Sequence, residues 1–82
     1  MAEGRTIKSP MPGTFYRRPS PDEDAFVNEG DRVSSGDVVG LVEVMKSFNE
    51  IKSDQEGVIE SFLVENEDAV EAGQDLVALG GA

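Results

Sequence analysis

Apolar residues along this chain come in short runs broken by turns rich in Gly, Pro, Asn, Asp and Ser. No window of about ten residues keeps the spacing of an amphipathic helix. The pattern predicts short strands over residues 6–9, 13–16, 32–33, 38–44, 48–52, 57–64, 69–70 and 76–79, with 57–64 the longest. Residues 38–44 are nearly all apolar, as in a strand packed inside a sandwich, while 48–52 alternates in part. Pro10-Met11-Pro12-Gly13, Asn28-Glu29-Gly30-Asp31 and Ser34-Ser35-Gly36-Asp37 read as turns, because Pro fixes φ and Gly permits positive φ. About eight strands at this spacing describe a small all-β fold.

The chain also repeats itself. Ile7-Lys8-Ser9 followed by Gly13 recurs as Ile51-Lys52-Ser53 followed by Gly57, and Asp31-Arg32-Val33-Ser34-Ser35-Gly36 recurs as Asp68-Ala69-Val70-Glu71-Ala72-Gly73. The first offset (7 to 51) exceeds the second (36 to 73) by seven, so the first half carries a seven-residue insertion. It falls in Arg17-Arg18-Pro19-Ser20-Pro21-Asp22-Glu23-Asp24, too polar and proline-rich for an interior strand. Residues 18–26 are expected to protrude as a loop, with a helical turn near 22–27 tucking Phe26 inward. Neither half can bury its apolar face alone. The expected body is a single domain over 1–82, a flattened eight-stranded barrel or sandwich with pseudo-two-fold symmetry. Its join and its chain ends would lie at opposite poles, Lys46 at one and Met1 and Ala82 at the other.

The join lies between residues 43 and 49, since Val39 to Val42 align with Leu76 to Leu79 and Ile7 aligns with Ile51. A tight hairpin there centres on Met45 and Lys46. Two-residue hairpins prefer Asn-Gly because both positions need positive φ, so Met-Lys breaks a local rule in an otherwise consistent chain, as functional sites tend to do. A lysine in a turn is ordinarily only a solvated charge. An exposed Met45 is harder to explain, unless the turn is shifted by one and Met45 is core.

Composition narrows the chemistry. The 82 residues carry 17 acidic and 7 basic side chains, a formal charge of −10. That repels a phosphate backbone and supplies no basic stripe for a bilayer, so neither nucleic acid nor membrane is an expected partner. With no Cys and no His, thiolate metal sites and the commonest general base are excluded. No apolar run reaches the ~18 residues of a membrane span, and Met1-Ala2-Glu3-Gly4 lacks signal-peptide character. A cytoplasmic protein is expected. Glu65, Glu67, Asp68 and Glu71 read as solvated surface, and Asp22-Glu23-Asp24 lacks calcium-loop spacing. No catalytic residue and no metal site is expected.

Glu43-Val44-Met45-Lys46 resembles the biotin-attachment motif, usually Glu-Ala-Met-Lys-Met, of biotinyl carrier domains. The resemblance covers nearly the whole chain. Ser9-Pro10-Met11-Pro12-Gly13-Thr14-Phe15-Tyr16 is similar to the opening of biotin carboxyl carrier subunits of acetyl-CoA carboxylase. Pro19-Ser20-Pro21 through Ala25-Phe26-Val27 resembles the "thumb" of their bacterial and plastid members, and Asn49-Glu50-Ile51 and Gly57 match as well. Val44 and Ser47 depart from the pattern without touching the lysine. The resemblance implies biotin in amide linkage to Lys46, with Glu43, Val44 and Met45 read by a biotin protein ligase. It implies a non-catalytic shuttle between biotin carboxylase and carboxyltransferase, giving malonyl-CoA from acetyl-CoA for fatty acid biosynthesis, in the cytoplasm or a plant's plastid stroma. The thumb tip, Pro21, Asp22, Glu23, Asp24 and Ala25, either contacts biotin or the ligase or is a plain surface loop. Two rivals stay open: a lipoyl carrier domain, whose turn usually reads Asp-Lys-Ala, and an unmodified barrel-sandwich interaction module.

Overall fold

The computed structural model describes residues 5–80, and these contain eight strands and no helix: β1 (Arg5–Lys8), β2 (Gly13–Tyr16), β3 (Arg32–Val33), β4 (Val38–Val44), β5 (Ser47–Lys52), β6 (Gly57–Phe62), β7 (Ala69–Val70) and β8 (Asp75–Gly80). The strand expected over 57–64 stops at Phe62, leaving seven-residue β4 the longest. The β6–β8 register shifts between Ile59 and Ser61, and beyond β6 the Leu63 N–H turns to the Leu76 carbonyl at 2.8 Å. Val64 remains buried outside any strand. The expected poles include Met1 and Ala82, which lie outside the described residues.

The strands form two antiparallel four-stranded sheets, ordered β1-β8-β6-β3 and β5-β4-β2-β7. Exchanging β1 with β5, β2 with β6, β3 with β7 and β4 with β8 turns one order into the other. Each sheet therefore takes two strands from each half, which is why neither half makes a sheet alone. The repeat holds down to single bonds. Phe15 N–H meets the Asp68 carbonyl and Ile59 N–H the Asp31 carbonyl, both at 2.8 Å. Gly36 N–H meets the Ser53 carbonyl and Gly73 N–H the Ser9 carbonyl, both at 2.7 Å. Ser9 and Ser53 are the buried polar pair, each donating its hydroxyl to the carbonyl two residues on.

The core lies between the sheets and is paired in the same way: Ile7 with Ile51, Phe15 with Ile59, Val33 with Val70, Val39 with Leu76, Val42 with Leu79. Alternation delivers it, since successive strand residues face opposite sides.

The insertion leaves the body between β2 and β3. It forms a tight turn, Glu23 N–H to the Ser20 carbonyl at 3.1 Å, and its root is closed by Phe26 N–H to the Arg17 carbonyl at 2.9 Å. The helical turn expected near 22–27 is absent. The six residues from Asp22 to Val27 are too few to offset the cost of helix nucleation. Phe26 is half-buried, as is Ala25.

Gly40 is required by close approach. A methyl group on Gly40 would stand 2.5 Å from Phe15 Cε1 and 2.9 Å from the Tyr16 carbonyl, and Phe15 is fully buried. Gly40→Ala is expected to destabilise the domain by about 1–3 kcal/mol through overpacking. Chemical denaturation should show a lower midpoint at an unchanged slope.

Candidate functional site

β4 and β5 pair with Glu43 opposite Phe48 and Val44 opposite Ser47, leaving Met45 and Lys46 as a two-residue loop. Met45 has φ 51° and Lys46 φ 68°, the positive pair that such a hairpin demands. L-residues occupy this region at a cost of about 1–2 kcal/mol each. The flanking ladder imposes it. Asn49 Nδ2 adds bonds to the Val42 and Ser47 carbonyls, both at 3.3 Å. Met45 is 94% exposed, so the turn is not shifted and Met45 is not core.

Lys46 is exposed at the apex, and among the described residues it forms no ion pair. The other two lysines stand beside carboxylates: Lys8 bonds Asp75, and Lys52 lies 3.9 Å from Glu50. The lysines differ in local environment as well as in position.

The four motif residues are split by the strand pleat. Val44 packs partly against the core. Glu43 is half-buried on the outer face, where its Oε1 accepts the Tyr16 hydroxyl at 2.9 Å. The Tyr16 ring lies 6.0 Å from Phe48, tilted by 52°, and Phe48 is 57% exposed. The Tyr16 hydroxyl is held above its ordinary pKa of 10.0, first by the bond to Glu43, then by desolvation and by the charges of Glu43 and Glu67.

Beside this face is a groove of about 250 Å³. Tyr16, Leu41 and Phe48 make its floor, the thumb root from Arg18 to Pro21 one wall, and Asn66 with Glu67 the other. Arg17 pins the root: its guanidinium sits 3.9 Å over the Phe62 ring, and its backbone N–H donates to Asn66 Oδ1 at 2.8 Å. Of the thumb residues singled out from sequence, the structure brings Pro21 to the groove. Asp22, Glu23 and Asp24 are exposed and do not line it. Tyr16, Phe48 and Glu67 went unselected in the sequence. Strand alternation would have put Tyr16 and Phe48 on outer faces, but only the register shows that they meet. Among the described residues, no group of three or more acidic side chains is placed to hold a metal ion, and no helix is long and apolar enough to cross a membrane.

Comparison with known proteins gives a consistent picture. Residues 5–79 match the family described as biotin-requiring enzyme. The chain is 43% identical over 76 residues to the biotin carboxyl carrier protein of acetyl-CoA carboxylase from Haemophilus influenzae, covering 93% of this chain and 49% of that one. It is 50% identical over 64 residues to the chloroplastic counterpart from Glycine max, covering 78% of this chain and 24% of the other. The chain thus spans about half or less of the length of these relatives. Among solved structures, the Kluyveromyces lactis urea carboxylase matches with a TM-score of 0.74 at 28% identity, over 92% of this chain and 6% of that one.

The geometry makes two predictions. Tyr16 is the chain's single tyrosine, and there is no tryptophan, so near-ultraviolet absorbance reads its ionisation alone. The midpoint should lie above 10.0, and Glu43→Ala should lower it. A raised folded pKa means that the contact's stability is present below pH 10.0 and is lost as pH rises through the folded value. Second, the double substitution M45N/K46G, which supplies residues suited to positive φ, should raise stability by about 1–2 kcal/mol. Thermal or chemical unfolding checks this.

Proposed function

Since the chain belongs to the biotin-requiring family, we propose that it is a biotin-carrying domain with the cofactor in amide linkage to Lys46. The observation that carries this reading is an exposed lysine without an ion pair, raised at the apex of a two-residue hairpin that its own residues disfavour. A ligase can reach Nζ there without deforming the sheet. The neutral Lys46 amine, its ammonium proton given up first, would attack the carboxyl carbon of biotin activated as an adenylate on the ligase. The C–N amide bond forms as the C–O bond to phosphate breaks, AMP leaves, and the nitrogen sheds a second proton, so the side chain gives up its charge. Glu43, Val44 and Met45 are the neighbours that a biotin protein ligase reads, with Met45 presented to solvent almost in full.

When bound, biotin supplies the ring nitrogen that carries a carboxyl group. The domain's own part is to hold the attachment point rigid on paired strands while the lysine side chain gives reach. Tethering raises the local cofactor concentration at each active site visited. The relatives' names support a carrier, non-catalytic role in acetyl-CoA carboxylase, between biotin carboxylase and carboxyltransferase and so in fatty acid biosynthesis. A cytoplasmic or plastid-stromal setting goes with that role. Met45 before the lysine and the insertion after β2 favour biotin over a lipoyl group, and the hairpin strain argues against an unmodified module.

The thumb enters the reading through its root. Pro21 walls the groove next to the hairpin, and the exposed carboxylates of Asp22, Glu23 and Asp24 face water. Contact with the tethered group is proposed at the groove side, near Pro21, rather than at the acidic tip.

Expression with biotin and a biotin ligase tests the site. Intact mass should rise by one biotin, and the product should bind avidin. Lys46→Arg should abolish both, since a guanidinium is not acylated in this way, while Lys8→Arg and Lys52→Arg should keep both. An avidin-positive Lys46→Arg protein would refute the assignment.

A further inference from the structure

The outer face of the β5-β4-β2-β7 sheet holds a contact that the attachment chemistry does not itself require. Register places Thr14, not Tyr16, opposite Glu43. The Tyr16 hydroxyl therefore reaches diagonally across the strand pair to donate to Glu43 Oε1 at 2.9 Å. Phe48, directly across from Glu43 on β5, holds the Tyr16 ring from the other side. Glu43 is thus fixed by a partner from a strand distant in sequence, three residues before the apex lysine.

A glutamate in that position has an obvious alternative. It can fold across the two-residue turn and pair with the Lys46 ammonium. Among the described residues neither Glu43 nor Lys46 forms an ion pair, and Glu43 Oε2 makes no hydrogen bond. One carboxylate oxygen is anchored and the other is left available.

Resting on the acylation reading above, we propose that Tyr16 is a positioning residue. Its hydroxyl holds the Glu43 carboxylate beside the hairpin as an anionic handle for a cationic side chain of the acylating enzyme, and keeps that carboxylate off Lys46. Without the hydroxyl the Glu43 side chain must be immobilised on docking, which weakens docking by about three- to tenfold. The chemical step, which occurs at Nζ, is left alone.

The test is steady-state biotinylation of the full chain by a biotin ligase with biotin and MgATP, varying the unmodified protein. Tyr16→Phe keeps the ring against Phe48 and removes only the hydroxyl. KM for the protein should rise about three- to tenfold at constant kcat, with the thermal midpoint shifted by no more than a few degrees. Glu43→Asp keeps the charge but withdraws it from the hydroxyl, and should raise KM similarly. Glu43→Gln should raise KM at least as far, and Y16F/E43Q no further than E43Q, because the hydroxyl acts through the carboxylate. A wild-type KM in Tyr16→Phe or Glu43→Asp, or multiplying effects in the double variant, overturns the inference and leaves Lys46 as the acylated residue. A parent protein that gains no biotin overturns both readings.

Discussion

The ladder between β4 and β5 forces two side-chain-bearing residues, Met45 and Lys46, into a left-handed turn. The turn alone would not form with these residues, at a cost of about 1–2 kcal/mol each. It forms because the strands on either side are committed elsewhere. Val42 and Ile51 are buried in the core, and β4 is clamped from its other side by β2. A loop of this length has no slack, so the lysine's backbone position is fixed by the sheet. Reach is then supplied by the side chain alone, which suits the carrier role proposed above.

The duplicated topology explains why this turn stands clear. The symmetry that exchanges the two sheets exchanges the β4–β5 hairpin with the paired strands β1 and β8, where the described chain begins and ends. At the join Met45 and Lys46 are both exposed, and the insertion leaves the chain elsewhere, between β2 and β3. Its root reaches back along the outer face and makes, with Tyr16, Leu41 and Phe48, the groove next to the hairpin.

Much of this was legible in the sequence, because the repeat aligned one half with the other and alternation fixed the faces. The eight strands, the core pairs and the centring of the turn on Met45 and Lys46 follow from those two facts. What was not legible depended on register between strands far apart in the chain. The Tyr16–Glu43 bond joins residues 27 apart and runs along a diagonal, which no local pattern encodes. The end of β6 at Phe62 depended on the shift near Ile59, and an apolar run through Val64 hides it. The missing helical turn in the thumb reflects a segment too short to offset the cost of helix nucleation.

Backbone strain ties these observations together. Among the described residues, Gly30, Gly36 and Gly73 take positive φ in the turns, and only Met45, Lys46 and Glu67 do so with side chains. Glu67 occupies the place of Gly30 in the repeat, at φ 74° against 92°. The duplicated turn therefore accepts glycine in one copy and carries a disfavoured residue in the other. The disfavoured copy is the one whose side chain walls the groove beside the hairpin. Strain of this kind persists only where the surrounding structure over-determines it. Here its three occurrences fall on the turn that presents the lysine and on the wall of the adjoining groove, while the other positive-φ turns use glycine. That distribution sets hairpin and groove apart within a body otherwise built from two matching halves.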